Sequence, residues 1–261
     1  MLVYPQLESG ALSQFPVLKT RTTRTVVNRA ADGSTVRLAD PFAGTTEWLL
    51  TYAELIDSEA AALRDFFEAT EGSLNSFVFV DPVGNLFAWS ERLDHETWQR
   101  DPLMNVLGSI ADPRGGTAAW RLVNTGAGEQ TLRQTIAGPG DYNYAFSVYV
   151  RSYVTPSRIA LSISDQSVEQ EVTPEWTRVC LAASGVPGAT SVRFAMTIAA
   201  GAAVEVFGPQ AEAQGGASPY MASTRGGVYE GAYLAEDELA ITRTAFNRNS
   251  CKVRIIHANR L

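Results

Sequence analysis

Tyr144-Ala145-Phe146-Ser147-Val148-Tyr149-Val150-Arg151 carries its larger apolar residues, Tyr144, Phe146, Val148 and Val150, on every second position. That two-residue period is the signature of a strand with one face buried. It returns in Ile159, Leu161 and Ile163, and again in Val192, Phe194, Met196 and Ile198. Gly and Pro punctuate the intervals, and no segment from about Glu96 to Ala222 sustains a helical period. Short alternating strands at even spacing, separated by turn signals, are the pattern of a β-sandwich or jelly roll.

The segment before this region reads differently. A hairpin is expected from Arg24 to Ala39, with a two-residue turn at Asp32-Gly33. Glu47-Trp48-Leu49-Leu50-Thr51-Tyr52 reads as a strand with Trp48, Leu50 and Tyr52 on one face. A helix follows, with Asp57 or Ser58 at its cap, Glu59 in its first turn, Leu63, Phe66 and Phe67 as its apolar stripe, and Gly72 just past its end. Ser76-Phe77-Val78-Phe79-Val80 is an apolar strand closed by Asp81-Pro82. The last segment, from Gly226, holds Gly227-Val228-Tyr229 and a terminal strand, Lys252-Val253-Arg254-Ile255-Ile256. It is too short to make its own core, so its apolar face must be buried against the first segment. The expectation is a mainly β chain of two domains. Residues 1–95 plus 226–261 form a discontinuous, split β-sandwich or barrel-like domain with one α-helix. Residues 96–225 are inserted into it as a β-sandwich.

Composition narrows the function. The 261 residues carry 21 basic and 28 acidic side chains, a net charge of −7, which argues against nucleic-acid binding by phosphate neutralisation. No apolar run approaches a transmembrane span, and Met1-Leu2-Val3-Tyr4-Pro5 lacks the layout of a signal peptide, so a soluble protein outside the general secretory route is expected. Two Cys and two His cannot build a Cys/His zinc site. Nineteen of the basic residues are Arg, a bias that suits permanent interfaces. No GxSxG elbow is present, and Gly138-Pro139-Gly140-Asp141 and Gly115-Gly116-Thr117 lack the Lys and context of a phosphate loop. Asp81, Asp94, Asp101, Asp112, Asp141 and Asp165 stand near loops. A glycosidase would need two of them across a sugar, and a structural calcium in the inserted domain would need several. Among the aromatics of the sandwich, Trp98, Tyr142, Tyr149 and Tyr153 are candidates for contact with a glycan or a protein partner.

On these residues the chain resembles the distal tail proteins of tailed phages, minor tail proteins that form the hub of the tail tip. The resemblance is carried by Tyr4-Pro5-Gln6-Leu7, Gly10-Ala11-Leu12-Ser13-Gln14-Phe15-Pro16, Trp48-Leu49-Leu50-Thr51-Tyr52, Glu59-Ala60-Ala61, Phe66-Phe67, Gly72, Phe77-Val78-Phe79 and Asp81-Pro82. Gly227-Val228-Tyr229, Asp237-Glu238-Leu239 and Val253-Arg254-Ile255-Ile256 resemble the end of the same domain. The inserted part is similar to the carbohydrate-binding-like jelly rolls that decorate phage tail proteins. Its markers are Trp176-Thr177-Arg178-Val179, Gly201, Gly208-Pro209-Gln210-Ala211-Glu212 and Ala217-Ser218-Pro219-Tyr220.

The resemblance implies a non-enzymatic structural subunit of a tail tip or baseplate. It would form a ring with copies of itself, commonly six, between the tail tube protein and the tip hub proteins, with the jelly roll outward. It implies a place at the virion tail tip, after synthesis in the bacterial host cytoplasm. No cofactor, nucleic-acid partner or membrane insertion is implied. Residues 1–24 would serve as an assembly arm, with Tyr4, Pro5, Phe15, Arg21 and Arg24 as its contacts. The alternative is a host-adhesion module that binds a surface glycan.

Overall fold

The computed structural model describes residues 2–153 and 157–259. Among these the chain is mainly β, with sixteen strands and one α-helix. It divides into two compact units, residues 2–7, 13–79 and 229–259, and residues 8–12 and 80–228. In chain order the elements begin with β1 (Leu18–Arg29), β2 (Thr35–Leu55), α1 (Asp57–Thr70) and β3 (Phe77–Val80). The second unit supplies β4 (Gln99–Arg100), β5 (Met104–Ile110), β6 (Ala119–Asn124), β7 (Gln130–Ala137) and β8 (Asn143–Ser152). It continues with β9 (Ser157–Ile163), β10 (Gln166–Val172), β11 (Thr177–Ser184), β12 (Ser191–Ile198) and β13 (Ala203–Glu212). The chain closes with β14 (Val228–Leu234), β15 (Ile241–Ala245) and β16 (Arg248–Ala258).

In the first unit one sheet runs β1-β2-β16-β14-β3, with β15 added to β16. The barrel-like expectation is corrected here. Among the described residues the sheet is open, because β1 and β3 end it on opposite sides and do not pair. Trp48, Leu50 and Tyr52 lie on one face of β2 and are all fully buried. Tyr4 joins them: its hydroxyl lies 2.8 Å from that of Tyr52, and its ring meets Phe66 and Phe79 edge-on at 5.3 and 5.7 Å. Helix α1 buries Ala60, Leu63 and Phe66. Its N-cap is Ile56, one residue before the expected Asp57 or Ser58. The Glu59 carboxylate accepts the Ile56 N–H at 3.2 Å, and the side chain of Asn247 accepts that of Asp57 at 2.7 Å. The Asp57 carboxylate is thereby left for Arg243 and Asn249, at 2.7 and 2.8 Å. Capping from another segment thus replaces capping by the local side chain. Glu71 takes the left-handed conformation that ends the helix, followed by Gly72 at φ 64°.

The hairpin between β1 and β2 departs from the expected two-residue turn. Ala30 N–H donates to the Ser34 carbonyl and Gly33 N–H to the Ala30 carbonyl, giving a three-residue loop in which Gly33 takes φ 84°. Asp32 instead uses its carboxylate to accept the Ser34 N–H at 2.9 Å.

The second unit is a β-sandwich. One sheet runs β10-β9-β12-β7-β4 and the other β11-β8-β13-β6-β5. The alternating residues of β8, β9 and β12 are the core: Tyr144, Phe146, Val148, Ile159, Leu161, Ile163, Val192, Phe194, Met196 and Ile198 are all fully buried. Phe194 is edge-on to Tyr144, Phe146 and Phe87 at 5.3–5.7 Å. Strand β13 shifts register against β8 between Phe207 and Gln210. Gly208 makes the shift possible, with φ 61° and the Tyr220 ring about where a Cβ would project, 2.9 Å away. Gly208→Ala is expected to destabilise the protein by about 1–3 kcal/mol, because it adds backbone strain to overpacking. A lowered denaturant midpoint at unchanged slope would register it.

Candidate functional site

Strand β2 has 21 residues, more than its neighbours can cover. On one side β16 pairs with it only from Thr45 to Leu55, while on the other β1 pairs with it from Thr35 to Leu49. The remainder of the hairpin, Thr22–Arg29 with Thr35–Gly44, is a two-stranded ribbon with no third strand among the described residues. Every residue of β1 is exposed. Thr, Val and Arg dominate the ribbon, and the first two favour extended backbone. Register puts Val26 opposite Leu38, Asn28 opposite Val36 and Arg24 opposite Asp40, so these six share one face. Val26, Val36 and Leu38 form an apolar patch there, 36–50% exposed. Beside it Arg24 and Asp40 pair at 2.6 Å. Val27 lies on the opposite face and is exposed too.

The expected arm residues separate in the structure. Tyr4 is fully buried in the core of its own unit, since its ring fits between α1 and β3 and its hydroxyl finds Tyr52. Pro5 is half-buried, Phe15 is 74% exposed, and Arg21 and Arg24 are exposed on β1. Exposure continues along β1 past residue 24 to the hairpin tip.

In the second unit, the outward face of the β11-β8-β13-β6-β5 sheet is built by register. Glu205 of β13 lies directly between Arg151 of β8 and Arg121 of β6. Glu205 is 3% exposed and accepts from Arg121 Nη2 and Arg151 Nε at 2.7 and 2.6 Å, with Arg121 Nε also on Oε1 at 3.1 Å. The next row places Arg178 of β11 opposite Tyr149, and Tyr149 opposite Phe207. Each guanidinium rides on an aromatic ring: Arg121 on Tyr153 at 3.3 Å, Arg151 on Trp176 at 4.7 Å and Arg178 on Tyr149 at 5.3 Å. Further along the face Tyr220 covers Phe207, and Arg114 lies over Tyr220. Burial pushes the Tyr220 phenol up to about 12, against the opposing effect of its hydrogen bond with Ser90.

Of the expected contact aromatics, this face holds two: Tyr149, half-buried, and Tyr153, 50% exposed. Trp98 and Tyr142 are buried instead. Trp98 packs on Phe87 at 5.0 Å and donates its indole N–H to the Trp89 carbonyl, and Tyr142 lies 6.0 Å from Tyr144. Arg121, Arg151, Arg178, Trp176 and Glu205 are not among the candidate contact residues; Trp176 and Arg178 enter the sequence reading only as markers of the jelly-roll resemblance. One signal was available: Glu205 interrupts the apolar run Ala203-Val204-Glu205-Val206-Phe207, where a buried carboxylate must have cationic partners.

Three of the loop carboxylates are engaged in local structure. Asp112 accepts from the Arg114, Gly116 and Ala118 N–H groups, Asp101 holds Arg133 and the Thr131 N–H, and Asp94 pairs with Arg92. Among the described residues no three His, Cys, Asp or Glu side chains converge as metal ligands. Among the described residues no helix is long and apolar enough to cross a membrane.

No family model matches the chain, and no curated protein matches it. Solved structures show partial likenesses of fold. One is the enzymatically active domain of tailspike protein 4 of bacteriophage CBA120, at 14% identity and a TM-score of 0.39. The match covers 51% of this chain and only 22% of that one. Another is the CBM22-1 xylan-binding domain of Paenibacillus barcinonensis Xyn10C, at 14% identity and a TM-score of 0.41, covering 52% of this chain and 97% of that domain. A third is TmCBM61, solved with β-1,4-galactotriose, at 17% identity and a TM-score of 0.38, covering 49% of this chain and 97% of that module.

Proposed function

We propose that the chain is a non-catalytic structural subunit of a phage or prophage tail tip, assembling through its first unit into a ring of six between the tail tube and the tip complex. The observation that carries this reading is the β1–β2 ribbon. A two-stranded ribbon is marginal in water by itself. Among the described residues this one leaves both of its outer edges without strand partners, and it exposes Val26, Val36 and Leu38 on one face. Such edges and patches are normally covered, and a neighbouring copy of the same chain supplies a cover that repeats around a ring. The resemblance of the first and last segments to distal tail proteins supports the same reading.

The test is the oligomeric state of the purified protein by analytical ultracentrifugation. A discrete ring is expected. The double variant Val26→Asp, Leu38→Asp should raise the concentration needed for assembly at least about tenfold, since burying two unpaired carboxylates opposes association. Its melting temperature as a monomer should stay close to that of the parent monomer, because both residues are exposed there. A parent protein that stays monomeric at every concentration, or a variant that assembles equally well, would contradict the reading.

A second reading concerns the sandwich, as the alternative adhesion role would require. The half-open face around Tyr149, Tyr153 and Trp176 favours it as a glycan-contacting surface displayed from the ring.

A further inference from the structure

We infer that the outward face of the β11-β8-β13-β6-β5 sheet takes an acidic saccharide, one whose sugar carries a carboxylate, in place of a neutral glycan. The inference rests on the glycan-contacting reading of this face and names the ligand class. Two guanidiniums, Arg121 and Arg151, meet one buried carboxylate, Glu205, and a third, Arg178, stands one row away over Tyr149. That leaves two positive charges in excess, although the unit as a whole has more acidic than basic side chains. Two other carboxylates lie near these rows: Glu175, exposed next to Trp176 in the chain, and Glu212, buried further along the same face of β13 where Gln210 and the Ser218 N–H hold it.

The ring faces decide against a neutral sugar. A neutral pyranose binds by laying its C–H face on an open aromatic ring. Here Tyr153, Trp176 and Tyr149 each already carry a guanidinium on one face. What the surface offers is donors. Glu205 uses Arg121 Nε and Nη2 and Arg151 Nε, and among the described residues Arg151 Nη1 and Nη2 make no hydrogen bond. Arg178 gives Nη2 to the Ser147 hydroxyl at 2.9 Å and adds a second positive charge beside that of Arg151. A planar carboxylate can accept two parallel hydrogen bonds from one guanidinium edge. The Arg151 Nη pair presents such an edge, and Glu205 and Trp176 fix its direction before any ligand arrives.

The experiment is titration calorimetry of the full chain with trisaccharides of galacturonate, glucuronate and mannuronate, each beside its methyl ester, which keeps the shape and removes the charge. At least one uronate should bind roughly 10- to 100-fold more tightly than its ester, the range expected when a charge-assisted hydrogen-bond pair is lost. The preference should shrink with added salt. Arg151→Gln should abolish it, and so should Arg178→Gln. Both variants leave Glu205 paired with Arg121, and a single cooperative melting transition, even if somewhat lowered, would verify that the sandwich persists. Equal binding of acids and esters would overturn the acidic class while keeping a glycan-contacting face. Failure of every acid and every ester would overturn both. Neither result bears on the ring, which is tested separately by the oligomeric state.

Discussion

Glu205→Ala should destabilise the protein by about 3 kcal/mol, close to the lower bound for removing one partner of a buried ion pair. Glu205 is 3% exposed, and its carboxylate holds guanidiniums from the strands on both sides of β13. Without it Arg121 and Arg151 would face each other across a vacated position. The two arginines are 20% and 29% exposed, so water can partly compensate them, which keeps the cost at the low end. Arg151→Gln should cost distinctly less, because Arg121 still neutralises Glu205. This asymmetry is the informative part. Denaturant melts of both variants should show the carboxylate to be worth more than the Arg151 cation. Equal losses would mean that the row is held by the aromatic stacking of the arginines instead.

Trp48→Ala should cost about 3–5 kcal/mol, the range for deleting a buried Trp side chain. Trp48 is fully buried, with Phe79 edge-on at 5.0 Å and Tyr229 at 4.6 Å. Lys19 of β1 lies 5.4 Å from its ring, which ties the edge strand to the core beneath. The indole therefore joins residues that are far apart in sequence, and no single neighbour can close the cavity it would leave. A loss of this size is a large fraction of ordinary domain stability. The denaturant midpoint should fall sharply. Assembly should fall with it, because Trp48 sits on the strand that continues into the ribbon. A variant with a near-native midpoint would show that the core around β2 repacks freely.

How much of this was legible follows from which interactions are local. The sandwich core could be read because its burial repeats every second residue, so Tyr144, Phe146 and Val148, or Phe194 and Met196, declare their face without knowledge of their partners. The helix over Leu63 and Phe66 was legible from its own local period, with apolar residues three and four apart. Its cap was not, since Asn247, which receives the Asp57 N–H, lies 190 residues away. The turn at Asp32-Gly33 was placed correctly but mistyped, because the choice between two- and three-residue loops depends on whether Asp32 adopts positive φ or accepts a hydrogen bond. The face around Glu205 was half legible. Tyr149 and Tyr153 follow from alternation along β8, whereas Arg121, Arg178 and Glu205 join them only through cross-strand register, which no single stretch of sequence reports. Trp98 and Tyr142 show the converse: an aromatic outside a regular alternation gives no sign of whether it is buried.

The proposed ring would close through the β1–β2 ribbon of the first unit. The most direct measurement is a density map of the tail tip of particles that carry this protein. The account predicts six copies around the tail axis, each ribbon lying on the adjacent subunit with Val26, Val36 and Leu38 covered. Purified tails that lack the protein, or a ring whose ribbons stand free in solvent, would contradict it.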